Sequence, residues 1–236
     1  MDAFTAEALQ ALPLFASLTA GQCGQLLDRH LESRHGSDQV LVMEQDWGGS
    51  LFVITAGMAK VRTHTTDGVE VVLAVLGPGC LFGEMAALAH SARSADVVAL
   101  TPVTVVKLRE EPFEALLRQE AGFALALARL EASRLRDLNQ RFAIQDSDAS
   151  TRLLNALAYL AQRSSSAGDP QATVPTLAQR ELGLLAGLAR ETASRTLTKL
   201  RNKGTVEDVA GGLRIADLQP LIKRGLVASS RPAMTR

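Results

Sequence analysis

Between about residues 37 and 110 this 236-residue chain abandons helical periodicity, and that change constrains its fold more than any other feature. Short apolar or alternating runs follow one another there: Val40-Leu41-Val42-Met43, Ser50 to Thr55, Met58 to Thr63, Val69 to Leu76, Ala95 to Leu100 and Thr104 to Leu108. A period of two places successive side chains on opposite faces of a strand. Turn residues separate the runs: Trp47-Gly48-Gly49-Ser50, Ala56-Gly57, Asp67-Gly68 and Gly77-Pro78-Gly79. Asp67-Gly68 is a strong hairpin signal, because glycine accepts positive φ without a Cβ clash. Strands this short and evenly spaced point to a small β-barrel or a jelly roll.

Helical patterns flank this region. Residues 1 to about 36 carry apolar side chains at helix-like spacing (Leu9, Leu12, Leu14, Leu18, Leu26, Leu27). From about Pro112 to Gln145 a long helix is expected, with Phe123, Leu127, Leu130, Leu135, Leu138 and Phe142 as its apolar stripe. Arg134, Arg136 and Asp137 interrupt the stripe, which is wider than a coiled-coil seam. A helix of this kind needs a partner: the β-rich region, the same helix of a second subunit, or both. Asp146-Ser147-Asp148 reads as a break with an N-cap for a helix from Ala149 to Arg163, and Ser164 to Pro170 as a loop. The expected domains are therefore 1–110, 111–146 and 147–236. The tail from about Ala228 is expected to be disordered.

The last of these domains carries two short helices joined by a turn. Thr176-Leu177-Ala178-Gln179 has the form of a capping box and predicts a helix from Leu177. Ala186-Gly187-Leu188 makes the turn, and a second helix runs from Arg190 to just before Gly204, which together form a helix-turn-helix unit. Val206 to Ile215, with Gly211-Gly212 in its middle, reads as a β-hairpin wing. Arg190, Glu191, Ser194 and Arg195 share one face of the second helix, with Thr192 in the same first turn. Arginine can grip guanine O6 and N7 with two hydrogen bonds, and glutamate can accept from cytosine N4. Leu197, Leu200 and Ala193 face the other way and would hold the helix to its domain. Arg180, Lys199, Arg201 and Lys203 suit phosphates, which set register rather than sequence. The alternative, an αα-hairpin that merely packs, leaves this polar face unexplained.

Charge agrees with a nucleic-acid partner. From Ala172 onward there are 11 Lys and Arg against 5 Asp and Glu, a net of +6, balanced by −6 over the rest of the chain. No run approaches the roughly 18 apolar residues of a membrane span, and the start lacks the basic region of a secretory signal. A cytoplasmic protein with no membrane partner is expected. Cys23 and Cys80 give no zinc or iron–sulfur spacing. His30, His35, His64 and His90 are scattered, and His64 has no histidine two residues away, so no cupin-type metalloenzyme is expected and no metal ligand is assigned.

The run Arg190-Glu191-Thr192-Ala193-Ser194-Arg195, preceded by the β-like region and a long helix, resembles the CRP/FNR family of bacterial transcription regulators from about Leu12 to Leu218. The resemblance implies an α+β fold: an N-terminal β-roll (a double-stranded jelly roll), a long dimerisation helix and a C-terminal winged helix-turn-helix. It also implies a homodimer joined through the long helix, RNA polymerase as a further partner, and a non-enzymatic role. Arg190, Glu191 and Arg195 would read a palindromic, TGTGA-like half-site, while Ser194 is closer to the FNR branch. Two half-sites would lie about one turn apart, roughly 34 Å. Ala189 stands where the family usually has a serine N-cap, a loss of about 1 kcal/mol.

Gly77-Pro78-Gly79-Cys80-Leu81-Phe82-Gly83-Glu84-Met85, leading to Ala92-Arg93-Ser94-Ala95, resembles the phosphate-binding cassette of cyclic-nucleotide domains. A short helix after Gly83 offers backbone N–H groups to an anion. Arg93 supplies a fixed cation, Ser94 a hydroxyl, and Glu84 an acceptor for a ribose 2′-OH. Asp137 and Leu138 fall where related proteins contact adenine with a Thr-Ser pair; Asp137 can accept from an exocyclic amine, whereas Leu138 can only pack. The resemblance thus implies no tightly bound cofactor but a cyclic nucleotide, cAMP before others, as effector. The first alternative is a regulator with no nucleotide, in which Arg93 pairs with Glu84 in an empty site. The second is a nucleotide-sensing module that acts through protein partners, which leaves the basic winged helix without a purpose.

Overall fold

The period-two region folds into two four-stranded antiparallel sheets in the computed structural model, which describes residues 4–165 and 167–227. Two helices, α1 (Ala6–Gln10) and α2 (Ala20–Leu26), precede the strands β1 (Leu31–His35), β2 (Val40–Val42), β3 (Ser50–Ala56), β4 (Ala59–His64), β5 (Glu70–Leu76) and β6 (Leu81–Phe82). A short helix, α3 (Glu84–Ala89), comes before β7 (Asp96–Ala99) and β8 (Val103–Arg109). One sheet has the order β1-β8-β3-β6 and the other β2-β7-β4-β5. The expected hairpin at Asp67-Gly68 joins β4 to β5, with Gly68 at φ 76°.

Burial explains why β3 and β8 read as nearly continuous apolar runs rather than alternating ones. Leu51 and Val53 pair in register with Leu108 and Val106, and all four face the helices. Ile54, Val103 and Val105 face the second sheet, against Leu76, Val97 and Ala99. A sheet covered on both faces needs apolar side chains at both parities. The helix-side cluster includes Phe15, Phe113 and Phe123, and Cys23 is fully buried within it. Burial raises the Cys23 thiol pKa.

Two expectations about this half are corrected. Residues 31–35 are a strand, not helix. Leu-Glu-Ser-Arg-His carries no alternating apolar signal, because β1 is a largely exposed edge strand held by pairing to β8. The long helix read from Pro112 is two helices, α4 (Glu110–Gln119) and α5 (Ala121–Ala143), broken at Glu120 with φ −113° and ψ 93°. The break lets both segments bury aromatic rings in one cluster. Phe113 of α4 and Phe123 of α5 meet edge to face at 5.3 Å, and Glu120 accepts from Gln22 Nε2 at 2.6 Å. Beyond Leu130 the α5 stripe emerges: Leu135 is 58%, Leu138 42% and Phe142 70% exposed.

The chain divides into two compact units, one up to Asn139 and one from Gln140 onward. The second contains α6 (Ala149–Ser164), β9 (Val174–Pro175), α7 (Gln179–Ala186), α8 (Arg190–Asn202), β10 (Val206–Val209), β11 (Gly212–Ile215) and α9 (Gln219–Ile222). Asp148 caps α6, as expected, by accepting from the Ser150 and Thr151 N–H groups. The wing is the hairpin β10–β11, to which β9 adds a third strand that the sequence pattern did not show. The capping box at Thr176 does not form. Helix α7 begins at Gln179, and the Thr176 hydroxyl donates to the Gly211 carbonyl at 3.5 Å, so the wing claims it instead. Among the described residues no helix is long and apolar enough to cross a membrane. The expected disorder of the tail from Ala228 lies outside the described residues.

Candidate functional site

A cavity of about 380 Å³ opens between the second sheet, α3 and α5. That volume is in the range of small-molecule sites. Gly83, Glu84, Arg93 and Ser94 all line it. Gly83 adopts φ 87°, and a Cβ there would meet Arg93 Nη1 at 2.7 Å and the Ser50 carbonyl at 3.0 Å. Glycine is therefore required both by backbone conformation and by space. Arg93 is buried. Its Nη1 donates to the Gly83 carbonyl at 2.8 Å and its Nη2 to the Ser50 carbonyl at 2.6 Å. Desolvation lowers the Arg93 pKa, opposed by the charges of Glu110, Glu84 and Asp46. Arginine nonetheless keeps its charge, so a fixed cation stands in the cavity wall. Ser94 is exposed at the mouth.

Arg93 does not pair with Glu84, as the empty-site alternative expects. Arg134 does. This residue of α5 donates to Glu84 Oε1 at 2.6 Å, to Glu131 Oε1 at 2.9 Å, and to the Leu81 carbonyl. The Glu84 side chain is 3% exposed, and its second oxygen, Oε2, is buried with no hydrogen-bond partner. Burial raises the pKa of Glu131, against the pull of Arg134. In the sequence Arg134 registers only as an interruption of the apolar stripe. It is the residue that ties α5 to the cassette, and no spacing rule could have matched it to a glutamate 50 positions away.

Helix α5 turns Glu131, Arg134, Leu135 and Leu138 toward the cavity. Their spacing of i, i+3, i+4, i+7 keeps them on one helical face. Leu138 is thus placed in the wall. Asp137, its expected companion, is not among the lining residues, because it falls off this helical face. On α5, Glu131, Arg134 and Leu135 are the cavity-facing residues that the sequence reading did not assign to the site. Elsewhere, His90 is exposed, and its Nδ1 lies 3.8 Å from both Glu110 and Glu114, carboxylates that the sequence did not connect to it.

In the second unit the helix-turn-helix is built as expected. Gly187 ends α7 in the left-handed region, φ 61° and ψ 35°, and Arg152 Nη1 donates to its carbonyl at 3.0 Å. Gly183 permits the close approach of the turn: a Cβ there would lie 2.8 Å from the Leu188 carbonyl. Helix α8 buries Ala193, Leu197 and Leu200. Arg190, Glu191, Arg195 and Lys199 are exposed, with Thr192 and Ser194 half-buried beside them. Arg180, on α7, is exposed too. Ala189 is the N-cap of α8 and makes no side-chain cap bond. Arg201, expected on a phosphate, is placed against the wing, where it donates to Asp208 Oδ1 at 2.7 Å.

These two constructions match known families region by region. Residues 33–120 match the cyclic nucleotide-binding domain model, and residues 151–224 the Crp-like helix-turn-helix domain model. The cyclic AMP receptor protein of Thermus thermophilus is 30% identical over 211 residues, which cover 89% of this chain and 94% of that protein. A CRP-like cAMP-activated global transcriptional regulator of Mycobacterium tuberculosis is 27% identical, covering 77% of this chain and 82% of that one. Among solved structures, FixK2 from Bradyrhizobium japonicum superposes with a TM-score of 0.71 at 20% identity, covering 86% of this chain and 99% of that one. With a nucleotide-binding roll followed by a Crp-like helix-turn-helix, the chain belongs to the CRP/FNR family and is a DNA-binding transcription regulator.

Proposed function

We propose that a cyclic nucleotide, cAMP before others, occupies the cavity of the roll and controls DNA binding by a homodimer joined through α5. The carrying observation is the cavity itself. Gly83, Glu84, Arg93 and Ser94 stand on one side, and four residues of α5 stand on the other. A ligand there touches the cassette and the helix at once. It can shift the protein toward a DNA-competent arrangement only by binding that arrangement better than the alternative. The buried, unpartnered Oε2 of Glu84 supports the reading, since it leaves an acceptor for a ribose hydroxyl. The names of the curated relatives, which include cAMP-activated regulators, support it also.

Leu135 and Leu138 pack a base without hydrogen-bonding its edge, so discrimination between adenine and guanine rests elsewhere. Calorimetric titration of the pure protein with cAMP and cGMP tests the proposal. Binding of cAMP is expected, and absence of heat from either at millimolar ligand with folded protein rules it out. A regulator without a nucleotide is the second reading. It is favoured by one observation: Glu84 and Arg93 already have partners in Arg134 and two backbone carbonyls.

On DNA, we assign Arg190, Glu191 and Arg195 to base edges of a palindromic, TGTGA-like site, with Ser194 and Thr192 beside them. Arg180 and Lys199 are assigned to phosphates. Activation of transcription through RNA polymerase in the cytoplasm completes the proposal. Selection of bound duplexes from a random pool, with and without cAMP, reads the half-site and its dependence on the effector together.

A further inference from the structure

Arg195, Lys199 and Lys203 recur every four residues from α8 into its C-cap, and that spacing sets them in one row. The row begins at the edge of the face that carries Arg190, Glu191 and Ser194, and it drifts around the helix from there. Lys199 and Lys203 then line a concavity of about 270 Å³ together with Lys223 and Arg224, which come directly after α9, and Ser150 at the start of α6. Leu154, Leu200 and Pro220 contribute apolar wall.

The charge in this concavity is unbalanced. Four cations face one lining carboxylate, Asp217, which already accepts from the Gln219 N–H at 2.9 Å. Arg224 is fixed in place: its Nε donates to Thr151 Oγ1 at 3.0 Å and its Nη1 to the Pro220 carbonyl at 2.8 Å. Lys199, Lys203 and Lys223 are exposed, and none has an ion-pair partner among the described residues. The wing is different. Its Arg214 pairs with Glu207, and Arg201 pairs with the wing's Asp208. Basic groups near the wing are paired internally, whereas Lys199, Lys203 and Lys223 are not, and Arg224 is only partly balanced, by the charge of Asp148. Like charges gathered in one concavity attract an anion and raise its local concentration.

We propose that this concavity seats the DNA backbone beside the half-site, with Lys203, Lys223 and Arg224 as phosphate contacts that extend the row Arg195–Lys199. The inference rests on the DNA-binding role of α8. A backbone is the occupant that the continuity favours: one polyanionic strand can follow the row from the base-reading edge into the concavity. Contacts of this kind position the protein and carry no sequence information. They release counterions, so each phosphate contact steepens the dependence of log K on log salt by about 0.9.

The test uses the full chain and a duplex from the random-pool selection, with affinity followed by fluorescence anisotropy between about 50 and 200 mM salt. The variant K203Q/K223Q is expected to show a slope shallower by about 1.8 per half-site, about 3.6 for a homodimer on a palindromic duplex. It should weaken selected and random duplexes by the same factor, and K203R/K223R should restore the slope. An unchanged slope in a variant that melts like the parent overturns the proposal, and so does a changed ratio between selected and random duplexes. Pyrophosphate is titrated in a parallel thermal-shift series. Saturable stabilisation of the parent alone, with no change in salt slope, assigns the concavity to a free anion and also overturns it. Failure of the parent protein to bind any duplex is a different result, which removes the DNA reading of α8 itself.

Discussion

The cavity of the roll and the exposed face of α8 use the same kinds of side chain in opposite ways. Around the cavity, Glu84 and Arg93 are buried, and Arg134 is largely so; their charges are held by one another or by backbone carbonyls. On α8, Arg190, Glu191 and Lys199 stand in solvent on a helix fastened by Ala193, Leu197 and Leu200. A buried charge is part of the fold, because removing its partner leaves an uncompensated ion. An exposed one is nearly independent of the fold and remains available to a ligand. The same type of substitution should therefore cost stability in one region and affinity in the other.

Arg134→Leu should give the largest effect. It leaves the carboxylate of Glu84 buried without its cation, and a loss of about 3–5 kcal/mol of unfolding free energy is expected in a denaturant titration. A loss below about 1 kcal/mol would mean that Glu84 finds another partner, and would erase the contrast. Arg190→Ala and Arg195→Ala come next. Each should weaken binding to the selected duplex by about 1–3 kcal/mol and relax specificity at one base pair, with stability changed by less than about 0.5 kcal/mol. Equal weakening on random DNA would make either arginine a phosphate contact. Ala189→Ser adds the missing cap to α8 and should raise the stability of the second unit by about 1 kcal/mol, seen as a higher thermal midpoint.

The smallest expected effect is a pH response at Asp148. Hydrogen bonds from the Thr151 side chain and from the Ser150 and Thr151 N–H groups lower its pKa. The stabilisation is therefore fully present above the ordinary aspartate value and fades as pH falls through the lowered one. Asp148→Ala should flatten the acid limb of the stability profile, and an unchanged limb would show that the cap contributes nothing measurable.

The contrast also explains what the sequence could disclose. The α8 face lies within six consecutive residues, so helical spacing alone revealed Arg190, Glu191, Ser194 and Arg195 together. The sheets were legible where both faces are buried, as in β3 and β8. They were not legible at β1, where Leu31 to His35 are mostly exposed and pairing with β8 decides the conformation. The cavity was half legible. Gly83, Glu84, Arg93 and Ser94 form a local pattern, but Arg134 is brought to Glu84 only by the packing of α5 on the roll, and Asp137 lies off the helical face that lines the cavity. Thr176 shows the same limit: its capping pattern is genuine as a sequence, but the wing competes for the hydroxyl and wins.

Cys23 carries a consequence of its own. It sits in the aromatic cluster where α2, α4 and the start of α5 meet, fully screened from water and with its thiol pKa raised. The thiolate is the form that attacks an alkylating reagent, so Cys23 reacts only in moments when that cluster opens. Its labelling rate is then a natural clock for local opening of the roll. Comparing that rate with and without an occupant of the cavity measures, on the unmodified chain, how firmly α5 is fastened.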